Sequence, residues 1–253
     1  MIRLSAVIIT LNEERNIGRC LASLKGIADE IVVVDSGSLD RTKEICISAG
    51  AKFIVHGFEG YIQQKNFALT QCSFDHILAV DADEALSPEL QKSIVALKSD
   101  WQKDGYVFNR LTNYCGQWIR HCGWYPDRKL RLFRKGSGTW GGSNPHDRFE
   151  INSQASIARI HGDLLHYSYY TIDDHLKQVN NFTGIEAKSA YDAGKRSSLL
   201  KMLVKPIIKF LRGYFFRLGI LDGYYGYLIC RISANATFIK YAKLRQLHQN
   251  KTS

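Results

Sequence analysis

The segment HILAVDADEALSP, residues 76–88, ends an apolar run with three carboxylates, Asp81, Asp83 and Glu84. Their mutual repulsion at the tip of a buried strand is unfavourable unless a positive charge lies between them. Carboxylate oxygens are hard ligands that suit Mg²⁺ or Mn²⁺, and either ion keeps positions for water and substrate oxygens. Such an ion also neutralises charge on a leaving diphosphate. The Asp-x-Asp spacing therefore predicts a divalent-metal site that serves a ligand carrying a diphosphate.

Two further polar segments follow apolar runs earlier in the chain. SAVII precedes TLNE at residues 10–13, and EIVVV precedes DSGS at residues 35–38. One polar strand end alone would be explained by capping of the helix that follows. Three of them at one rim predict a site for a polar, hydrogen-bonding ligand beyond the carboxyl ends of the strands.

The elements that must position these residues alternate between strand and helix patterns over the first hundred residues. Amphipathic spacings predict helices, one of them capped by Asp40 and one beginning at Ser87 and Pro88. Continuous apolar strands between such helices predict a parallel sheet covered on both faces, which is an α/β fold. The strands are predicted at residues 5–10, 30–35, 52–56 and 76–81.

From residue 105 to about residue 170 the pattern becomes irregular and aromatic, with strand-like YVFNRL and KLRLF among glycines and tryptophans. This composition predicts an elaboration of the domain and not another regular strand–helix unit. Thr171 and the residues after it then begin a polar helix that is predicted to run towards Gly194.

Residues 195–253 carry the excess positive charge of the chain. They include 12 basic residues and one acidic residue, whereas residues 1–194 include 22 basic and 23 acidic residues. Lysines and aliphatic residues recur at helical spacing around Pro206, which is expected to divide the segment into two helical pieces. No uncharged stretch approaches the roughly 18 residues that span a bilayer. A basic amphipathic segment favours the surface of an anionic membrane, and a helical lid packed on the body is the open alternative.

Several other classes of protein are disfavoured. The basic segment has no helix-turn-helix, zinc-finger or RNP signature, so no nucleic acid partner is expected. No GxGxxG follows a strand, which disfavours a dinucleotide oxidoreductase. Six cysteines without a CxxC pair, and no signal-peptide pattern before the first strand, predict reduced thiols in a cytoplasmic protein.

Four segments in this order and spacing, SAVIITLNEERNI, EIVVVDSGSLDRT, QKNFAL and AVDADEAL, closely resemble the family 2 inverting glycosyltransferases of GT-A fold. NPHDRF, LLHYSY and LDGYYG with FIKYAKL are similar to the branch that builds the inner core of bacterial lipopolysaccharide, a β-1,4-glucosyltransferase type. The resemblance implies a single Rossmann-like, parallel-centred mixed sheet with a C-terminal amphipathic helical tail. It also implies a nucleotide-sugar-binding half at residues 1–104, an acceptor-side half at residues 105–194 and a membrane-associating tail at residues 195–253.

The resemblance also implies roles for residues at the strand ends. Asp35 matches the acid that recognises the uracil ring, and Lys65 matches a basic position near the diphosphate, with a solvated surface lysine as the alternative. Asp81 would lie near the ribose, and Asp83 would be a direct ligand of Mg²⁺ or Mn²⁺. His166 matches a histidine that joins the metal or contacts the diphosphate, with a packed core histidine as the alternative. The implied nucleotide-binding set is Thr10, Leu11, Asn12, Glu13, Asp35, Ser36, Lys65, Asp81, Ala82 and Asp83.

Inverting transfer needs a base that takes the proton from the attacking acceptor hydroxyl. The lipopolysaccharide branch usually shows His-Glu where this chain has His146 and Asp147, so the resemblance makes Asp147 the expected base. The shorter side chain departs from that pattern. A polar turn after Pro145 is the structural alternative, and Glu84 is the competing carboxylate.

The resemblance implies a hexosyltransferase that moves a hexose, glucose from UDP-glucose, onto a heptose of the lipid A–core acceptor, by single displacement with inversion. It would act at the cytoplasmic face of the inner membrane, held there peripherally by the basic tail. Two alternatives remain open at this point. One is transfer to a polyprenyl phosphate, and the other is a non-catalytic membrane-surface module with a vestigial nucleotide pocket.

Overall fold

The computed structural model describes residues 1–143 and 146–249, in which eleven strands and seven α-helices form. The elements are, in chain order, β1 (Leu4–Thr10), α1 (Ile17–Leu24), β2 (Glu30–Asp35), α2 (Thr42–Ser48), β3 (Lys52–Val55), α3 (Tyr61–Thr70), β4 (His76–Asp81), β5 (Glu84–Leu86), α4 (Pro88–Ser99), β6 (Gly105–Tyr114), β7 (Gln117–Ile119), β8 (Asp127–Arg134), β9 (Gly138–Ser143), β10 (His146–Ile151), β11 (Ile157–Tyr169), α5 (Ile172–Asp192), α6 (Leu199–Leu211) and α7 (Gly223–Gln249). A π-helical turn (Arg212–Phe216) and a 3₁₀ turn (Gly219–Asp222) connect α6 to α7.

The main sheet has the strand order β3-β2-β1-β4-β8-β6-β11-β5. Its first four strands are parallel, and β4 pairs with β8 in the antiparallel direction. The four apolar strands of the first hundred residues therefore form the parallel part, and the later strand-like segments extend the sheet. This arrangement confirms the predicted α/β fold with a parallel-centred mixed sheet.

The apolar strands are buried because both faces of the sheet are covered. On one face Leu4, Ala6 and Ile8 of β1 pack in a cluster with residues of α1 and α4. On the other face Val7 packs in a second cluster with residues that include Ala68 of α3. Alternate residues of one strand thus pack in different hydrophobic clusters. This explains why the strand is apolar at successive positions, whereas a strand with one exposed face is apolar only at every second position.

The backbone packs as two compact units. Unit 1 comprises residues 1–111 and 127–167, and unit 2 comprises residues 112–126 and 168–253. The division of the chain at residues 104/105 and 194/195 was inferred from roles and not from packing, and it stays a prediction.

Two local predictions about helices need correction. Asp40 was expected at the N-cap, but α2 begins at Thr42 with Arg41 at the N-cap, and Asp40 accepts from the Thr42 backbone N–H at 3.0 Å. Pro206 was expected to divide the basic segment, but α6 runs unbroken through it. Packing of α6 along α7 supports the helix where the proline lacks an amide hydrogen, and the irregular backbone begins only at the π-helical turn.

The other helix starts follow the sequence signals. The Ser87 side chain accepts from the Leu90 amide at 3.2 Å, and Pro88 occupies the first turn of α4, as predicted. Helix α5 begins with a capping box in which Thr171 and Asp174 satisfy each other's backbone N–H. Within the described residues, no helix is both long and apolar enough to cross a membrane.

Candidate active site

The carboxyl ends of three parallel strands meet at one rim, as predicted. The register pairs Thr10 of β1 with Asp35 of β2, and it pairs Ile9 of β1 with Asp81 of β4. The three polar segments that follow β1, β2 and β4 are therefore neighbours in unit 1. Among the described residues, the buried Thr10 hydroxyl has no hydrogen-bond partner.

The loop after β1 is tied to the loop after β2 by backbone-to-side-chain bonds. The Asn12 amide donates to Ser38 Oγ at 2.7 Å, and Asn12 Oδ1 accepts from the Leu39 amide at 2.9 Å. Asn12 adopts a left-handed backbone with φ of 54°, a conformation that asparagine tolerates better than most residues. Leu11 beside it is half exposed. These bonds give the loop one fixed shape at the rim.

Glu13 lies in the same loop. Its carboxylate accepts from Asn16 Nδ2 at 2.8 Å, and its amide donates to Thr42 Oγ1 at 2.8 Å. Burial raises the pKa of Glu13 above its usual range, and the nearby carboxylates add to the effect.

Asp35 shapes the turn that follows β2. Its side chain is buried, and Oδ1 accepts from the amides of Gly37 at 2.9 Å and Ser38 at 2.7 Å. Oδ2 accepts from the Ser38 hydroxyl. Ser36 Oγ accepts from Gln64 Nε2 at 3.1 Å, which connects the turn to α3. Asp35 is thus held rigidly at the rim, and recognition of a uracil ring by it stays a prediction.

The Asp81 carboxylate lies between two cations supplied by the protein. Lys65 Nζ contacts Oδ1 at 2.9 Å, and Arg131 Nη2 contacts Oδ2 at 2.6 Å. Burial would raise the pKa of Asp81, but Arg131 and then Lys65 outweigh it and hold that pKa far below its usual range. Asp81 is therefore ionised at neutral pH.

Glu84 is buried in the same charge network. It accepts from the Asp81 amide at 2.8 Å, and both Arg110 and Arg131 approach its carboxylate at 3.4 Å. Arg110 also pairs with Asp127 at 2.9 Å. Only 1% of Glu84 is exposed, so an acceptor hydroxyl has no access to it. Glu84 is excluded as the competing base on this ground.

Asp83 points to a different neighbour, His166 of β11. His166 Nε2 lies 3.1 Å from Asp83 Oδ2, and the Tyr167 amide donates to the Asp83 carbonyl at 2.9 Å. Burial would raise the pKa of Asp83, but His166 outweighs it and lowers that pKa. Ala82 between the two acids is buried. The two residues predicted as metal ligands from distant parts of the sequence are therefore brought together.

In the described part of the chain, no group of three or more His, Cys, Asp or Glu side chains is arranged to hold a metal ion. Asp83 and His166 offer one carboxylate and one imidazole. The Asp81 oxygens face Lys65 and Arg131. The protein by itself thus presents two ligands, and the remaining positions of an ion would fall to water and substrate oxygens.

Asp147 of β10 joins the network through Lys65. Lys65 Nζ lies 2.8 Å from Asp147 Oδ2 and also 4.5 Å from the centre of the Trp140 ring. Lys65 is only 8% exposed, so the alternative of a solvated surface lysine is wrong. The structure brings the predicted base next to the predicted diphosphate-binding lysine, across 82 residues of sequence.

Two arginines that compensate the clustered carboxylates were not predicted from the sequence. Arg131 and Arg110 provide positive charge beside Asp81 and Glu84, where a divalent ion was expected to do so alone. A signal was present, because Arg131 interrupts the apolar run KLRLF directly before Leu132 and Phe133, which are buried. A charged residue at such a position is costly unless it is paired. Its partners could not be read from the sequence, since they lie 47 and 50 residues away.

The parallel-centred mixed sheet, with Asp35, Asp81 and Asp83 forming an acidic rim at its strand ends, is a GT-A fold. Residues 5–155 match the family described as Glycosyl transferase family 2, and the chain belongs to that family. It is therefore a glycosyltransferase.

Similar proteins span nearly the whole chain. The lipopolysaccharide core biosynthesis glycosyltransferase LpsC of Rhizobium meliloti is 35% identical, with 97% of this chain and 93% of that protein covered. An uncharacterised glycosyltransferase of Rickettsia typhi is 34% identical, with 98% and 88% covered. Among solved structures, S. aureus TarS in complex with UDP aligns with a TM-score of 0.47 and 16% identity, covering 99% of this chain and 92% of the other.

Proposed function

We propose that this glycosyltransferase moves a hexose, glucose from UDP-glucose, onto a hydroxyl of a lipopolysaccharide inner-core heptose, as a β-1,4-glucosyltransferase. The observation that carries the proposal is the contact of Asp147 with Lys65, which also holds Asp81. It places a candidate base in the charge network of the acidic rim. Similarity to LpsC over 97% of the chain supports lipopolysaccharide core as the acceptor class.

The reaction would be a single displacement. The acceptor oxygen attacks the anomeric carbon of the donor, the bond from that carbon to the diphosphate oxygen breaks, and UDP leaves with the electron pair. Asp147 takes the proton of the acceptor hydroxyl. Since Lys65 engages Oδ2 of Asp147, we assign the proton to Oδ1. Attack from the face opposite the leaving group inverts the anomeric configuration.

The strand-end residues would bind the donor. Asp35 and Ser36, fixed by the turn after β2, would contact the uracil ring. Thr10, Leu11, Asn12 and Glu13 would line the same pocket, where the Thr10 hydroxyl still needs a partner. Asp81 and Ala82 would lie at the ribose. Lys65 would contact the diphosphate as well as the two carboxylates it already holds.

Asp83 and His166 would hold the divalent cation. A carboxylate and an imidazole fit Mn²⁺ better than Mg²⁺, because imidazole is a less usual ligand for Mg²⁺. When bound, the ion would supply charge neutralisation to the donor diphosphate. The residues present fit this group, since the two side chains already converge at 3.1 Å.

The basic tail would hold the enzyme on the cytoplasmic face of the inner membrane. Helix α6 has no buried residue, although most of its residues are apolar. Contiguous exposed apolar surface of this kind marks an interaction site. Lys201, Lys205 and Lys209 lie on the same helix, and a basic apolar helix suits an anionic bilayer, to which each basic residue contributes about 1 kcal/mol. Side chains at least half exposed in this region include Leu199, Leu200, Leu203, Ile207, Ile208, Phe215, Phe216 and Leu221.

The test is a product analysis. Purified enzyme is incubated with Mn²⁺ and a panel of UDP-hexoses, in one reaction with heptose-terminated core oligosaccharide and in a parallel reaction with a polyprenyl phosphate, and the products are examined by NMR. We expect UDP-glucose to be consumed and a β-linked glucose to appear on the heptose. Transfer to a polyprenyl phosphate instead would contradict the acceptor class, because that acceptor is already ionised and needs no base. No turnover of any UDP-sugar would contradict the proposed class of donor.

A further inference from the structure

Arg131 is a buried arginine that the proposed reaction does not use directly. It lies in the middle of β8 and is 5% exposed. Desolvating a guanidinium is expensive, so a buried arginine persists only where carboxylates compensate it. Arg131 has two such partners, Asp81 at 2.6 Å and Glu84 at 3.4 Å, and both reach it through Nη2.

The rest of the guanidinium faces an aromatic ring. Its carbon Cζ lies 5.2 Å from the centre of the Trp140 ring. In the described part of the chain, Nε and Nη1 have no hydrogen-bond partner and are closed to solvent. A donor sugar therefore cannot reach them, and Arg131 must act through the residues that it contacts. The Trp140 backbone is itself fixed by Asn66, through two hydrogen bonds of 2.9 Å.

Arg131 and Lys65 contact different oxygens of the Asp81 carboxylate. Arg131 contacts Oδ2 and Lys65 contacts Oδ1, and both cations lie against Trp140. We propose that Arg131 is a positioning residue: it neutralises Asp81 and Glu84 from the buried side, so that Lys65 remains shared between Asp81 and Asp147.

Without Arg131, Lys65 would be the only cation within 3 Å of Asp81 among the described residues. The Asp81 carboxylate, no longer neutralised by Arg131, would attract the Lys65 ammonium more strongly. Lys65 would then move towards Asp81 and away from Asp147, which lies at 2.8 Å on its other side. Asp147 would lose the contact that holds it, and Lys65 would leave the position from which it would contact the diphosphate.

The inference rests on the proposed UDP-sugar chemistry, and the experiment separates the two. UDP binding with Mn²⁺ is measured by calorimetry for the wild type, Arg131→Lys, Arg131→Met and the control Arg134→Met. Arg134 is an exposed residue of the same strand. We expect affinity to fall about fiftyfold in Arg131→Met and about five- to tenfold in Arg131→Lys, because a lysine keeps the charge but lacks the planar guanidinium that lies against Trp140. Arg134→Met should bind UDP like the wild type.

Partial rescue by lysine distinguishes a positioned charge from simple packing, since lysine restores the positive charge and methionine does not. Unfolding is monitored by circular dichroism on the same samples. If Arg131→Met is folded and binds UDP like the wild type, the inference is wrong. If Arg131→Met does not fold, Arg131→Lys decides, and unchanged affinity in that variant also overturns the inference. If the wild type itself does not bind UDP, the proposed function fails, and the inference that rests on it fails with it.

Discussion

Lys65 Nζ lies 2.8 Å from Asp147 Oδ2, and the same nitrogen lies 2.9 Å from Asp81 Oδ1. One ammonium therefore joins helix α3 to the end of β4 and to the candidate base. Because the lysine is buried, the contact is little screened by solvent. It fixes the base relative to the rim at which a donor would bind.

Replacement of the candidate base should abolish transfer without removing donor binding. In Asp147→Asn the amide cannot accept the hydroxyl proton, so we expect kcat to fall by about 10²–10⁴-fold. UDP affinity should change by less than threefold, because the amide oxygen of the asparagine can still accept a hydrogen bond from Lys65. Initial rates with UDP-glucose and core oligosaccharide measure the first effect, and calorimetry measures the second. Asp147→Glu, which restores the residue usual in the lipopolysaccharide branch, is expected to retain measurable activity. Full activity of Asp147→Asn would exclude it as the base.

Loss of the bridging lysine should affect both stability and binding. Lys65→Met leaves two carboxylates without their shared cation, and breaking such a buried pair costs about 3–5 kcal/mol. Denaturant unfolding should show this loss, and UDP affinity should fall in parallel. Lys43→Met, at an exposed position of α2, is the matched control and should unfold like the wild type. A Lys65→Met protein of unchanged stability would show that the bridge contributes little.

Unit 2 should become less stable as the pH falls below neutral. His175 is buried, and burial lowers its pKa from 6.5 to about 4. The unfolded chain therefore binds the proton more readily between these values, so this contribution is fully present above pH 6.5 and is lost as the pH falls towards 4. The loss amounts to at most about 3 kcal/mol.

Thermal unfolding between pH 7.5 and pH 4.5 measures this effect. Tyr114 Oη lies 3.0 Å from His175 Nδ1, so His175→Gln retains a polar group at the site. The melting temperature of His175→Gln should depend on pH less steeply than that of the wild type. Equal slopes for the two proteins would mean that His175 is not the titrating group.

Helix α6 should carry the membrane affinity. Leu203→Asp with Ile207→Asp places two charges on exposed apolar positions, where they oppose insertion but not folding. We expect co-sedimentation with phosphatidylglycerol vesicles to fall at least tenfold, while UDP binding is unchanged. Leu39→Asp, at an exposed leucine of unit 1, is the control. Vesicle binding that survives the double substitution, or is equally strong with neutral phosphatidylcholine at high salt, would contradict the proposal.

The parallel part of the fold was predictable because its signals are local. EIVVVD forms β2 and HILAVD forms β4, each with the predicted first and last residue. A short apolar run rich in β-branched residues strongly favours a buried strand. Adjacent strand ends then followed from topology alone. Local signals also led to the error at Pro206, because the neighbouring helix that supports α6 lies elsewhere in the sequence.

The candidate site was predictable only for the residues that follow the strands. Asp83 and His166 were linked by resemblance, and the structure brings them to 3.1 Å. Arg131 lies beside Asp81 because β8 adds to the sheet next to β4, and Trp140 lies against Arg131 from β9, a strand of the separate two-stranded sheet. Charge compensation between distant residues is a tertiary property, so the sequence showed the carboxylates but not their partners.

The central claim is that the acidic rim binds a nucleoside diphosphate together with a divalent cation. UDP binding by calorimetry, with and without Mn²⁺, tests it for the wild type and for Asp83→Ala. Asp75→Ala, at an exposed position before β4, is the control. We expect Mn²⁺-dependent binding in the wild type and the control, and its loss in Asp83→Ala. Absence of UDP binding by the wild type in both conditions would contradict the account.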